Sequence, residues 1–273
     1  MRDSMAKGKL TFIGLGLYDE NDISIKGVNE IKNADKIFAE FYTSKLSGTT
    51  INKIEETIYK KIQLLTRKQT ESAKLLLDSA KTHHVVFLVA GDPMTATTHV
   101  DLRIRAIENN IPTQIIHGSS IVTAAPGLVG LQNYKFGRTT TLAIPEENYF
   151  PTSPYDVIQE NNKMGLHTLV LLDIQADKDT YMTANQAIDL LLKMEEKQKQ
   201  NLFTKNTIIC VIGQAGSLHP TIHADKISTL KNLDFGPPLH CLIIPGKLHF
   251  MEIEALIKIA HLPIEDSKKL QKV

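Results

Sequence analysis

Three apolar runs in the first half of the chain each end in a loop of small residues. Residues 10–13 lead into Gly14-Leu15-Gly16-Leu17-Tyr18-Asp19, residues 85–89 into Ala90-Gly91-Asp92-Pro93, and residues 113–116 into the loop holding Gly118-Ser119-Ser120. Short apolar runs bounded by Gly and Pro are the pattern of strands buried on both faces, as in a parallel sheet. Open sheets of this kind bind ligands beyond the carboxyl ends of their strands. The three loops therefore predict a small-molecule pocket lined by backbone, and an enzyme or cofactor binder rather than a scaffold.

With 273 residues, 42% of them hydrophobic and 22% charged, the chain can bury a sizeable core. The expected organisation is an N-terminal α/β domain over residues 8–136, a C-terminal α/β domain over 137–265 and a polar tail over 266–273. A net charge of +1 without a basic block argues against nucleic acid as a partner. Cys210 and Cys241 each sit inside an apolar run, which reads as two buried, reduced thiols rather than a disulfide framework. No apolar stretch approaches the ~20 residues of a membrane span, and residues 1–9 are polar, with no signal-peptide core. A reducing, cytoplasmic setting is the expectation.

Strands are expected at residues 10–13, 36–42, 62–65, 85–90 and 111–117, alternating with helices at 24–31, 50–59, 71–81 and 97–109. In the first helix Ile25, Val28 and Ile31 share one face. This alternation argues for a mainly parallel sheet with right-handed crossovers. Phe136-Gly137-Arg138, a strand at 139–144 and then Pro145, Pro151 and Pro154 read as a domain junction followed by a proline-punctuated loop. Beyond it come strands at 168–172, 207–212 and 239–245. The amphipathic helix at 184–198 carries its stripe on Ala187, Ile188, Leu191, Leu192 and Met194, and the charged run 195–199 reads as a solvated last turn. A helix at 250–261 precedes the polar tail.

The first loop invites comparison with a pyrophosphate-binding turn, but the third glycine of that fingerprint is replaced by Asp19. Glu40 stands where a ribose-binding acid would be, so a dinucleotide site stays open as an alternative. In Gly91-Asp92-Pro93 the proline keeps Asp92 out of the helical region at the end of a buried strand. Its carboxylate then either receives a ligand amine or hydroxyl or caps the following helix. Thr95, Thr97 and Thr98 add hydroxyls, and His99 reads as a helix-start residue. Around Ser120 the Gly-x-Ser-x-Gly elbow of a serine nucleophile is absent. His83-His84 and His219/His223 are poor metal-ligand pairs, so no metal is expected. Asp173, Gly213 to Leu218 and Gly236 to His240 are the corresponding strand-end loops of the second half.

Taken in order, Phe12-Ile13-Gly14-Leu15-Gly16-Leu17-Tyr18-Asp19, Gly91-Asp92-Pro93, the loop from His117 to Ile121, Leu171-Leu172-Asp173-Ile174 and Ile244-Pro245-Gly246-Lys247-Leu248-His249 resemble the tetrapyrrole methylase superfamily. Ala39-Glu40-Phe41-Tyr42-Thr43-Ser44, Ala96-Thr97-Thr98-His99, Tyr134-Lys135-Phe136-Gly137, Phe150-Pro151-Thr152-Ser153 and Tyr181-Met182-Thr183-Ala184-Asn185 narrow the resemblance to the diphthine synthase family, over nearly the whole chain. The resemblance implies two α/β domains with S-adenosylmethionine in the cleft between them, usually in a homodimer. It further implies successive methylation of the amino group of a modified histidine, 3-amino-3-carboxypropyl-histidine, on translation elongation factor 2. Carried over by position, the cofactor contacts are Leu17, Asp92, Thr95, Ser120, Ile121, Leu172, Ala215 and His240. Thr95 stands where that family often has an aliphatic residue, and Ala124-Ala125-Pro126-Gly127 carries one residue more than its pattern. No residue is assigned as a catalytic acid or base. The alternatives are a methyltransferase acting on a small tetrapyrrole-type molecule and a nucleotide-binding module without turnover.

Overall fold

The computed structural model describes residues 8–145 and 150–270; residues 1–7 of the polar N-terminus, 146–149 of the proline-punctuated loop and 271–273 of the polar tail lie outside them. The chain divides into two compact units: Met1–Ile121 with Ala176–Lys178, and Val122–Gln175 with Asp179–Val273.

In the first unit the strands are β1 (Lys9–Gly14), β2 (Lys36–Glu40), β3 (Gln63–Leu64), β4 (His84–Val89) and β5 (Thr113–Ile116). They form one parallel sheet in the order β3-β2-β4-β1-β5. Alternate residues enter separate cores on its two faces. Leu10, Phe12, Val85, Phe87 and Val89 pack with Leu76, Leu77 and Leu102, whereas Ile13, Val86 and Leu88 pack with Ile31, Ile54 and Ile58. The apolar runs are continuous because both faces are covered.

The helices of this unit are α1 (Ile25–Lys32), α2 (Ile51–Ile58), α3 (Arg67–Ser72), α4 (Lys74–Ala80) and α5 (His99–Glu108). Ser24 and Thr50 cap α1 and α2 by accepting the N–H of Gly27 and Lys53. Two expectations are corrected. Ile25 is 82% exposed, because α1 approaches Ile13 and Ile23 through Gly27 and centres its buried face there. The helix expected at 71–81 is two helices, broken where Ala73 takes φ +58°.

The second unit contains α6 (Ile121–Val129, its first residue in the other unit), β6 (Thr140–Leu142), α7 (Ser153–Lys163), β7 (Thr168–Leu172), a hairpin of β8 (Ile174–Gln175) and β9 (Thr180–Tyr181), α8 (Ala184–Gln198), β10 (Ile208–Gly213), β11 (Thr221–Lys226), α9 (Ile227–Leu230), β12 (His240–Ile244), α10 (Phe250–Ile259) and α11 (Ile264–Leu270). Its sheet runs β11-β10-β12-β7-β6, antiparallel except for β6 with β7. Pro154 belongs to the first turn of α7, where its missing N–H would have no helical partner, so this part of the expected loop is a helix start. Glu195 is not simply solvated. Its carboxylate accepts the Tyr155 hydroxyl at 2.7 Å and the N–H groups of Asn201, Leu202 and Phe203 at 2.7–2.9 Å, closing the turn after α8.

Candidate active site

At the carboxyl end of the first sheet, β1 lies between β4 and β5, and the three loops that follow these strands meet through glycine. A Cβ on Gly14 would stand 2.5 Å from both the Gly118 nitrogen and the Gly91 carbonyl oxygen, so only hydrogen fits. Gly16 and Gly91 exchange backbone hydrogen bonds: the Gly91 N–H donates at 2.7 Å and the Gly16 N–H at 3.3 Å. Gly91, at φ +72°, has a different environment on its open side, where the nearest atom to an added Cβ would be the Ser119 carbonyl oxygen at 4.0 Å. On the open side of Gly91 the junction therefore leaves a recess with room for at least one added carbon, beside a buried carboxylate.

That carboxylate is Asp92, 9% exposed. Its Oδ1 accepts the Met94 N–H at 2.9 Å and the Thr95 hydroxyl at 3.3 Å, and its Oδ2 meets Nδ1 of His117 at 2.7 Å. Asp92 thus closes its own turn; the residue preceding α5 is Thr98. Nearby in sequence, the Thr97 hydroxyl is buried without a partner among the described residues. Ser120 is buried immediately before α6, and Ile121 opens that helix. Leu17 is half-buried, and its N–H and that of Tyr18 donate to Asp22 Oδ2 at 3.0 and 2.7 Å. Those donors are already used, and Asp19, Glu20 and Asp22 crowd the short 3-10 turn that follows. A pyrophosphate needs free N–H groups and no neighbouring carboxylates, so this turn does not suit the dinucleotide alternative.

His99 is buried at the start of α5 and locks the Asp92 loop from beneath. Its Nδ1 bonds the Pro93 carbonyl at 3.1 Å, its ring meets Phe87 edge-on, and Nε2 lies 3.7 Å from Glu40. Burial pushes its pKa down. Glu40 does not reach out to a ribose. It is fully buried and accepts the N–H groups of Tyr42 and Thr43 at 3.0 and 3.1 Å.

In the second unit the antiparallel register assembles the other three predicted residues. Gly213 pairs with His240 and Leu171 with Cys241, so the end of β7, the end of β10 and the start of β12 lie at one end of the sheet. Leu172, Ala215 and His240 belong to that end. The Pro245 to His249 loop, after β12, therefore lies at the opposite end. His240 Nδ1 accepts the Ala184 N–H at 3.1 Å, which leaves the proton of a neutral ring on Nε2. That atom is buried and makes no hydrogen bond among the described residues, although the carbonyls of Phe235, Gly236 and Pro237 lie near enough to favour its protonated form. Burial pushes the His240 pKa down, against the raising effect of those carbonyls. Asp173 holds the Ile144 N–H at 3.0 Å, and Thr183 caps α8 in a reciprocal box with Gln186. Cys210 and Cys241 are free and buried, which raises both thiols to about 12. Among the described residues no three His, Cys, Asp or Glu side chains gather as metal ligands would. No helix among them is long and apolar enough to cross a membrane.

The sequence pattern of the family described as Tetrapyrrole (Corrin/Porphyrin) Methylases matches residues 9–231. The chain is 53% identical over 251 residues to diphthine synthase of Methanosphaera stadtmanae, covering 92% of this chain and 95% of the relative. It is 53% identical over 248 residues to diphthine synthase of Methanococcus maripaludis, covering 90% and 97%. This chain belongs to the tetrapyrrole methylase family, among the diphthine synthases. A crystal structure of diphthine synthase superposes with a TM-score of 0.86 at 38% identity, covering 95% of this chain and 98% of that one. As a member of that family the protein is a methyltransferase, built as two α/β units. The diphthine synthase motifs quoted from the sequence fall on structural joints as well as on the recess: Thr183 is a helix cap, Glu40 a buried anchor and His99 a loop lock.

The contact that sequence reasoning missed is His117 with Asp92. The two are 25 residues apart and come together only because β4 and β5 flank β1 in parallel. Each residue was visible in its own loop, and nothing local signalled the pairing.

Proposed function

We propose that the protein uses S-adenosylmethionine to methylate, in successive rounds, the amino group of 3-amino-3-carboxypropyl-histidine on translation elongation factor 2, a step of diphthamide synthesis. The observation that carries this reading is the 53% identity to diphthine synthases over nine-tenths of the chain. The site supports it chemically. S-adenosylmethionine supplies an electrophilic methyl group on a sulfonium. An open-sided Gly91, a buried Asp92 and an unpaired Thr97 hydroxyl fit a ligand with amine and hydroxyl groups, and the acidic first loop suits a cationic cofactor better than a pyrophosphate. The chain's work is then to align nucleophile and methyl in line and to exclude water.

We assign cofactor contacts to Leu17, Asp92, Thr95, Ser120 and Ile121 in the first unit and Leu172, Ala215 and His240 in the second. Asp92 uses three of the roughly four acceptor positions of a carboxylate, which leaves one for a ligand donor. Asp92→Ala is expected to weaken S-adenosylmethionine binding roughly 10- to 100-fold, the loss of one hydrogen bond to a charged group. Isothermal titration calorimetry reads this directly, and an unchanged affinity would remove Asp92 from the cofactor site.

The reaction itself is tested by mass spectrometry of elongation factor 2 carrying the aminocarboxypropyl-histidine, incubated with the protein and S-adenosylmethionine. A series of methyl gains on that histidine is the expected result; no gain, with cofactor bound, would move the methyl acceptor elsewhere. The reading extends to a homodimer acting beside the elongation factor in the cytoplasm. Native mass spectrometry of the same preparation should find twice 30.4 kDa, and a monomer would refute the dimer.

A further inference from the structure

An alkylammonium is protonated near neutral pH, the lysine side chain having a pKa of about 10.4, and a protonated nitrogen has no lone pair with which to attack a methyl group. A methyltransferase acting on an amine therefore needs a place for one proton in every round. The described residues at the carboxyl end of the first sheet include two histidines with a carboxylate neighbour, and only one of them can meet substrate. His99 is 2% exposed, with Nδ1 on the Pro93 carbonyl and Nε2 turned to buried Glu40. The His117 side chain is 73% exposed, while its partner Asp92 is 9% exposed and held by the Met94 N–H and the Thr95 hydroxyl.

We propose that His117 is the proton acceptor of the methyl transfer, with Asp92 fixing its ring. The assignment rests on the amine-methylating reading above. Asp92 Oδ2 accepts from Nδ1–H at 2.7 Å, so the lone pair of the neutral imidazole lies on Nε2. Exposure of the ring leaves Nε2 open to an incoming ammonium. The support is rigid: the next residue is Gly118, pressed against the backbones of Gly14 and Gly91, so His117 is carried at the rim of the glycine recess. In each round the substrate N–H bond breaks and its proton goes to Nε2. The freed nitrogen lone pair forms the new C–N bond while the methyl–sulfur bond breaks, its electron pair leaving with a neutral thioether. The imidazolium so formed faces the Asp92 carboxylate. Because the ring is exposed, it passes its proton to water before the next round, and the product nitrogen, still carrying N–H until fully methylated, can be deprotonated again.

The test uses the full chain, elongation factor 2 bearing the aminocarboxypropyl-histidine, and S-adenosylmethionine, with His117→Ala and His117→Gln as variants. Both are expected to lower kcat at pH 7 by about 100-fold or more, the lower range for loss of a general base. S-adenosylmethionine affinity by calorimetry should stay within about twofold, which corresponds to 0.4 kcal/mol. The variants' rate should climb about tenfold per pH unit as the substrate amine loses its own proton, and added imidazole should restore part of it. Independently of turnover, 15N shifts of the His117 ring should report the Nδ1–H tautomer in the wild type and a mixture of tautomers in Asp92→Asn. If the wild type methylates the factor and the variants match its rate and pH profile, or lose rate only through cofactor affinity, His117 is not the proton acceptor. A wild type that transfers nothing to the factor overturns the functional reading and the proton acceptor with it.

Discussion

Glu252→Ala will cost about 3–5 kcal/mol of stability, the range for removing one partner of a buried ionic network. Glu252 is 1% exposed on the first turn of α10. Its Oε1 accepts the Gln132 N–H at 3.0 Å and His167 Nε2–H at 3.1 Å; its Oε2 accepts the His249 N–H at 2.8 Å and the Lys135 ammonium. His167 is itself fixed, because its Nδ1 accepts the Gly246 N–H at 2.8 Å. One side chain thus joins the chain after α6, the start of β7 and the cap of α10. Truncation would take the acceptor from His167 Nε2–H and from the Gln132 and His249 N–H groups, and would leave the Lys135 ammonium only the Lys247 carbonyl. In a unit of this size the melting temperature should fall by roughly 10 °C.

The same group sets an acid limb. Burial alone would raise the Glu252 carboxyl, but the His249 N–H, Lys135, the Gln132 N–H and His167 together bring it down to about 2, from 4.5 for the free group. A folded-state value below the unfolded one means that the stabilisation is complete above about pH 4.5 and is lost as pH falls towards 2. Its full size is about 3 kcal/mol. Urea denaturation at pH 7 and along a series from 5 to 2 separates the two effects: the variant should start lower and lose less on acidification. A variant within 1 kcal/mol of the wild type at pH 7, or one with the wild-type acid slope, would show that the network adds little.

Gly118→Ala will abolish detectable S-adenosylmethionine binding, a loss of about 100-fold or more, by parting the three loops. The new Cβ would collide with the Gly91 carbonyl oxygen and lie 2.8–2.9 Å from the Gly14 backbone. None of these atoms can swing aside as a side-chain tip would, so β1 and β4 must shift where they close the recess. Overpacking of this kind costs about 1–3 kcal/mol, so the fold should survive while the site does not. Gly127→Ala is the matched control. It lies in α6 with nothing within 4 Å of the added carbon and should bind as the wild type does. Calorimetry with circular dichroism checks both, and normal binding by Gly118→Ala would mean that the glycine junction does not form the cofactor recess.

Elements whose burial is uniform were legible in the chain. β1 and β4 announce themselves as continuous apolar runs because both faces of their sheet are covered, and α8 because one face is. Elements whose local signals conflict were not. α6 contains Pro126 and Gly127, α7 carries in its first turn a proline that reads as loop, and β11 is largely polar along Thr221-Ile222-His223-Ala224-Asp225-Lys226.

The site divides in the same way. Gly14, Gly91 and Gly118, which close the loop junction, could be found from sequence because strand-end loops that approach each other by backbone demand small residues, a requirement that each loop displays on its own. The choice of His117 as Asp92's partner, of Asp22 as the acceptor for Leu17 and Tyr18, and of Glu252 as the joint for residues 85–120 positions away was made by tertiary structure. Steric and hydrophobic requirements are written locally, residue by residue. A hydrogen bond between distant residues depends on strand order and register, and these are set only when the whole sheet assembles.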